Sequence, residues 1–256
     1  METHTNHLHN APGKNFWHYL FEFFMLFLAV FCGFLAENLR EKLVDNENEK
    51  ESIHSLINSL ASDTSQLKII IAFNNTLVQN LDSLILLKKA DLTVDENKKK
   101  FYQYGSVGVL QEWFFKTNDA ALQQLKSSGM LRLIKKQNIV DSIFGYESKN
   151  DLTMEQERDS YFYYQQSLAD YKKVTDLTLL RDTSAVSSNM TLYILTYHFK
   201  HVNQLTLSSD EEKLDAVFNN AALVAIGLEV YVQFMQDQLS YGKKLIALLQ
   251  REYHIQ

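Results

Sequence analysis

Residues 53–85 read IHSLINSLASDTSQLKIIIAFNNTLVQNLDSLI, and the fold turns on how their apolar residues are spaced. Ile53, Ile57, Leu60, Thr64, Leu67, Ile71, Asn74, Val78, Leu81 and Ile85 recur alternately by four and three, a sustained heptad seam. Leu56, Ile70, Leu77 and Leu84 broaden that seam to the face of a bundle helix. Towards the N terminus the rhythm persists through Lys50, Asn46, Leu43 and Leu39, weakened where it turns polar at Asn46 and Lys50. The spacing predicts one nearly continuous helix from about residue 16 to 89, roughly 110 Å long at 1.5 Å per residue.

The N-terminal part of this helix is of a different kind. Residues 16–36, FWHYLFEFFMLFLAVFCGFLA, are almost all apolar. At 1.5 Å per residue they span about 31 Å, the thickness of a bilayer's hydrocarbon layer. Phe16, Trp17 and Tyr19 suit the interface, where aromatic rings settle. A cleaved signal would place small residues at −3 and −1, whereas Phe34 precedes Ala36 and Phe31 precedes Gly33. Phe31 before Cys32 argues against a lipoprotein site, so the reading is a retained single-pass transmembrane helix.

Glu22 stands out in that helix. At 100° per residue, Glu22, Leu26, Ala29, Gly33 and Ala36 fall on one face, within about 40° of Glu22. Small residues let helix backbones approach closely in lipid, and polar groups there usually face another helix. This face is the candidate membrane-helix interface. Two other readings stay open: a carboxylate snorkelling to the headgroups, and a proton-carrying group.

Composition agrees with a helical protein. The chain has 256 residues, 46% hydrophobic and 22% charged, which excludes a disordered chain. The single proline, Pro12, precedes every expected helix, and no glycine occurs between Gly33 and Gly105. The net charge of −6 and the lack of a basic stripe argue against a nucleic-acid partner. Cys32, the only cysteine, excludes an intrachain disulfide and a zinc ribbon.

Beyond residue 90 the expected elements are shorter. Residues 91–99 read as a polar connector, and Gly105 and Gly108 permit a turn in the aromatic-rich stretch that follows. Thr117 or Asn118 caps a short helix, AALQQLK, with Gly129 just past its end. A helix from Met130 ends near Gly145, a longer one covers 150–176, and another covers 188–205. The stretch 210–252 is again heptad-like, with Leu214, Ala221, Leu228, Met235, Gly242 and Leu249 every seven residues. It is expected to pack along residues 39–85. A second membrane span over 216–235 is disfavoured by Asn219, Asn220, Glu229 and Gln233.

The expected fold is therefore all-α: a transmembrane helix continuing into a long stalk, packed with C-terminal helices in an elongated bundle. The expected divisions are a mobile tail (1–15), the membrane helix (16–36) and a bundle domain (37–256).

Chemistry-bearing motifs are few. His198 and His201 are spaced i, i+3 on an expected helix and could share a metal, but a solvated or packing pair is the simpler reading. His4, His7 and His9 belong to the tail. The tyrosines of YFYYQQSLADY and the Trp113–Phe115 cluster could line a ligand pocket, though such residues more often fill a core. No GxGxxG, P-loop, GxSxG or HExxH pattern occurs, and no paired-carboxylate site is discernible. No catalytic residue, metal or cofactor is expected.

Two stretches, EFFMLFLAVFCGFLAENLREK (22–42) and LQQLKSSGMLRLIKKQNIVDSIFGYE (122–147), together resemble a family of uncharacterised single-span membrane proteins of Bacteroidota. The matching positions are Glu22, Asn38, Ser128 and Gly129. The resemblance implies no activity. It implies an inner-membrane location with a cytoplasmic N terminus and a periplasmic bundle, although Arg40, Lys42 and Lys50 after the span outnumber Lys14 before it. The expected function is a non-enzymatic envelope scaffold, a homo-oligomer or a subunit of a larger membrane complex. The alternatives are a membrane-anchored sensor of a small ligand and an accessory subunit of an ion-driven or transport complex using Glu22.

Overall fold

A computed structural model describes residues 16–112, 114–182, 184–189, 194–198 and 204–255. Of the side chains between 184 and 198, only that of Leu195 is described. The N-terminal tail with His4, His7 and His9, together with Trp113 and His201, lies outside these residues.

The expected long helix is present as α1, Phe16–Leu86, which ends in a 3₁₀ turn, Leu87–Lys89. It is followed by α2 (Asp95–Gly108), α3 (Ala120–Ser127), α4 (Gln137–Val174), a two-stranded hairpin of β1 (Ser184–Asn189) and β2 (Ile194–His198), and α5 (Glu211–Tyr253). The fold class is all-α, with that hairpin as its only sheet among the described residues.

The chain divides into two compact units at residue 50. In the first, apolar side chains are exposed on every side of the helix: Trp17 is 75% exposed, Leu26 70%, Val30 70% and Phe34 64%. In water such a surface would be prohibitive, since each large side chain forfeits about 1.5–3 kcal/mol by remaining exposed. Its length and composition are sufficient to cross a membrane. Just beyond, Arg40 forks onto Glu37 with hydrogen bonds of 3.0 and 2.6 Å.

The second unit is the bundle. From Ile53 onward the α1 seam is buried, as Ile53, Leu60, Leu67, Leu77 and Leu81 show. It packs into two apolar clusters. One joins residues 67–84 of α1 and Leu87 of the 3₁₀ turn to α2, the end of α4 and the first half of α5. The other joins Ile53, Leu56, Ile57 and Leu60 to α3, the start of α4 and Leu245 and Leu249 of α5. α4 and α5 run antiparallel, with Lys136 paired to Glu252, Lys149 to Asp237, and Ser160 Oγ donating to Gly227 O. α5 is capped by Asp210, whose carboxylate accepts from Lys213 N at 3.2 Å, and Glu211 and Glu212 complement its positive end. It too is long and apolar enough to cross a membrane, but half of its apolar window is buried within the bundle.

Several local expectations are corrected. The seam extends toward the apolar N-terminal stretch less far than the spacing implied: Leu39 and Leu43 are 62% and 70% exposed. Gly105 makes no turn; it lies inside α2, where an added Cβ would collide with the Tyr171 ring. Gly108 closes α2 against Leu81. No helix ends at Gly145. α4 runs straight through it, because the missing Cβ makes room for Tyr241 of α5. The helix expected from Met130 starts later, at Gln137 of α4; Met130–Arg132 form a 3₁₀ turn after Gly129, whose φ of 73° requires the left-handed region. Where a helix is expected over 188–205, the described residues 188–189 and 194–198 belong to the antiparallel hairpin, with Ser184 opposite His198 and a bulge between Ser187 and Asn189. Val186, Thr196 and Tyr197 are β-branched or aromatic, the residue types that favour a pleated backbone.

Candidate functional site

The bundle holds a partly open cavity of about 500 Å³, within the range typical of small-molecule sites. α1 contributes Leu56, Leu60 and Asp63; α4 contributes Ile143, Tyr146, Asn150, Met154 and Glu157; α3 and α5 add Leu122 and Leu245. Residues 114–119, which join α2 to α3, form the remaining wall.

Two buried polar groups hold that connecting segment in place. Asp63 is 1% exposed. Its carboxylate accepts from Thr117 Oγ1 at 2.8 Å, from the Asn118 amide at 2.7 Å and from the Tyr146 hydroxyl at 3.0 Å. Burial raises its pKa above the ordinary carboxylate value, although the three donors pull the other way. Thr117 and Asn118 thus serve Asp63 and do not cap α3, whose N-cap residue, Asp119, makes no side-chain cap bond. The second group is Tyr231, fully buried, whose hydroxyl accepts from the Phe115 amide at 2.9 Å. It faces Glu157 at 3.5 Å, too long for a strong hydrogen bond. Burial also raises the Glu157 carboxyl.

Behind the cavity, Gln238 donates to Asn150 Oδ1 at 3.2 Å, while its own buried carbonyl oxygen has no partner among the described residues. Desolvation pushes the Tyr146 and Tyr231 phenols upward, so both are neutral donors or acceptors at physiological pH. The arrangement can seat a partly apolar molecule and present carboxylates to it. Among the described residues, no group of three or more His, Cys, Asp or Glu is arranged to hold a metal.

Most candidate residues from the sequence lie elsewhere. Glu22, Leu26, Ala29, Gly33 and Ala36 are exposed in the first unit, and the space where a Gly33 Cβ would point is open. His198 lies on β2 and not on a helix. Of the tyrosine stripe, Tyr171 and Tyr164 are buried in the bundle and Tyr161 is 45% exposed. Tyr171 stacks on Phe101 with centroids 5.6 Å apart. Tyr164 and Tyr171 are core, whereas Phe114 and Phe115 of the Trp113–Phe115 cluster do line the cavity, together with Tyr146. Sequence reasoning missed Asp63, yet a signal was present. Leu56, Leu60, Asp63, Leu67 and Ile70 are spaced by four and three, so the carboxylate sits on an apolar stripe.

No family model, curated protein or solved structure matches this sequence. The resemblance to the Bacteroidota family therefore assigns no family. What the fold defines is an all-helical protein with a long apolar N-terminal helix.

Proposed function

We propose that this protein is a membrane-anchored helical binding protein that holds a small ligand in its bundle without chemically transforming it. The observation carrying this reading is the cavity of about 500 Å³, whose wall at 114–119 is fastened by Asp63 and Tyr231. Buried polar fastenings of this kind shape a site at a cost in desolvation, which a purely mechanical bundle does not require. The best-placed carboxylate, Asp63, is occupied by three structural donors and is not free for proton transfer. The exposed apolar helix supplies the anchor. By the Bacteroidota resemblance the membrane is a bacterial inner membrane with the bundle periplasmic. An alkaline phosphatase fusion at the C terminus reports that topology.

Native mass spectrometry of the full chain, released from its own membranes, tests the binding reading. A small-molecule adduct is expected, lost when the cavity is filled by Leu60→Trp or, at its rim, Met154→Trp. A folded protein with no adduct, unchanged by either substitution, would overturn it.

A second reading concerns the exposed face of Glu22, Leu26, Ala29, Gly33 and Ala36. In this reading the membrane helix assembles the protein, either with copies of itself or as a subunit of a larger membrane complex, possibilities distinguished by the proteins that co-purify. Small residues flanking a carboxylate on one helical face support it.

A further inference from the structure

We infer that the bundle cavity selects an organic cation with an apolar body; this rests on the reading that the cavity holds a ligand. Five carboxylates line it, those of Asp63, Asp119, Glu147, Asp151 and Glu157, against the single ammonium of Lys116. Two of the five are already compensated. Asp63 has its three donors, and Glu147 is paired with Lys126 at 2.6 Å. That leaves three carboxylates facing one lysine. Asp119 and Asp151 sit at the exposed rim, and Glu157 is half-buried.

Glu157 is the decisive group. Its one hydrogen-bond partner among the described residues is the Tyr231 hydroxyl, which accepts from the Phe115 amide and donates to Glu157 over a long 3.5 Å, and the other compensation is the charge of neighbouring Arg158. A carboxylate partly removed from water with so little compensation gains most from a charged donor. An ammonium supplies one; an alcohol supplies a weaker one; a carboxylate ligand would add like charge. The low-dielectric walls concentrate the field of the remaining acids on whatever enters. Phe114 and Tyr146 contribute aromatic rings to the lining, a residue type that attracts cations and accommodates an apolar body.

Calorimetric titration of the full chain in lipid nanodiscs tests this with three probes that share one indole body. These are tryptamine (cation), tryptophol (neutral) and indole-3-propionate (anion). Tryptamine is expected to bind about tenfold more tightly than tryptophol, a difference of about 1.4 kcal/mol. Indole-3-propionate should bind most weakly. Glu157→Gln should abolish the preference for the cation, and Asp151→Asn, at the exposed rim where folding is not at stake, should reduce it. Asp82→Asn removes a charge from an exposed position outside the cavity and should leave it unchanged. Equal affinity for tryptamine and tryptophol overturns the cation assignment and leaves the cavity reading standing, as does a preference that survives both Glu157→Gln and Asp151→Asn. Failure of all three probes to saturate the folded protein overturns both.

Discussion

Tyr146 on α4 donates its hydroxyl to the carboxylate of Asp63 on α1 at 3.0 Å, in the buried interior of the bundle. The same carboxylate receives Thr117 and the Asn118 amide, so one side chain of α1 holds both the 114–119 segment and α4. Removing it by Asp63→Ala would strand one buried donor and two part-buried ones at once. Each such group costs about 1–3 kcal/mol when left unsatisfied. Asp63→Ala is therefore expected to destabilise the bundle by about 3 kcal/mol or more, and Tyr146→Phe by about 1 kcal/mol, since Asp63 then keeps two donors. Denaturant unfolding followed by circular dichroism gives both values.

The pH dependence of Asp63 runs opposite to that of a salt-bridged acid. Its folded pKa is raised, with burial the largest cause. The folded state thus holds the proton more tightly than the unfolded chain. Its contribution to stability is greatest below the unfolded carboxylate pKa and falls as pH rises through the raised folded value, with no further change above it. Asp63→Asn lacks this titration. The stability of the wild type relative to Asp63→Asn should therefore increase on acidification through the weakly acidic range, as measured by midpoints at matched ionic strength.

Three glycines should respond to alanine in graded fashion. At Gly105 the new methyl meets the ring of Tyr171, which is 0% exposed and stacked on Phe101. The ring has nowhere to go, so Gly105→Ala should cost about 1–3 kcal/mol or more. At Gly145 the obstacle is the outer end of half-buried Tyr241, which can swing aside, and the loss should be smaller. At Gly33 an added Cβ would meet nothing within 4 Å beyond the helix's own neighbouring backbone. There alanine should leave the stability of the bundle unchanged. Thermal unfolding of the three variants reports the order.

The bundle core was legible because a heptad seam repeats over many turns, and each repeat constrains the next. Its limit near the membrane was not, since Leu39 and Leu43 continue the spacing without a partner helix to bury them. The two ends of the seam therefore predict different outcomes. Ile57→Asp places a charge at a position 6% exposed and should unfold the bundle; Leu43→Asp, at 70% exposure, should not. Ile71 is half-buried, and Ile71→Asp should fall between them. Circular dichroism melts of the three variants rank them.

The hairpin was misread for a different reason. Residues 184–198 carry few breakers, and apolar residues in so short a run satisfy a helical spacing as easily as a strand's. The structure resolves the ambiguity through a non-local contact: Gln111, 84 positions away, bonds both the amide and the carbonyl of Leu195 at 3.0 and 2.6 Å. The cavity was illegible in the same way. Asp63 could be seen on an apolar stripe, but its donors at 117, 118 and 146 are brought to it only by the packing of α4 and the 114–119 segment. Gly145 reads locally as a stop, and only the approach of Tyr241 explains why the helix continues.

The last prediction concerns the membrane helix. Glu22 shares its face with Ala29, Gly33 and Ala36, and the space beside Gly33 is open. If this face meets another helix, bulk at Gly33 should separate the backbones, because close approach is what small residues contribute in lipid. Gly33→Leu should therefore abolish cross-linking in native membranes. Phe27 lies on the opposite side, and Phe27→Leu should leave cross-linking intact. Glu22→Gln keeps hydrogen-bonding capacity and removes the charge, so a carboxylate that only holds the contact together should be largely replaced by it. A carboxylate that pairs with a partner's cation or carries protons should lose function while cross-linking survives. Equal behaviour of Gly33→Leu and Phe27→Leu would remove the interface and leave Glu22 as a carboxylate reaching for the headgroups at the membrane edge.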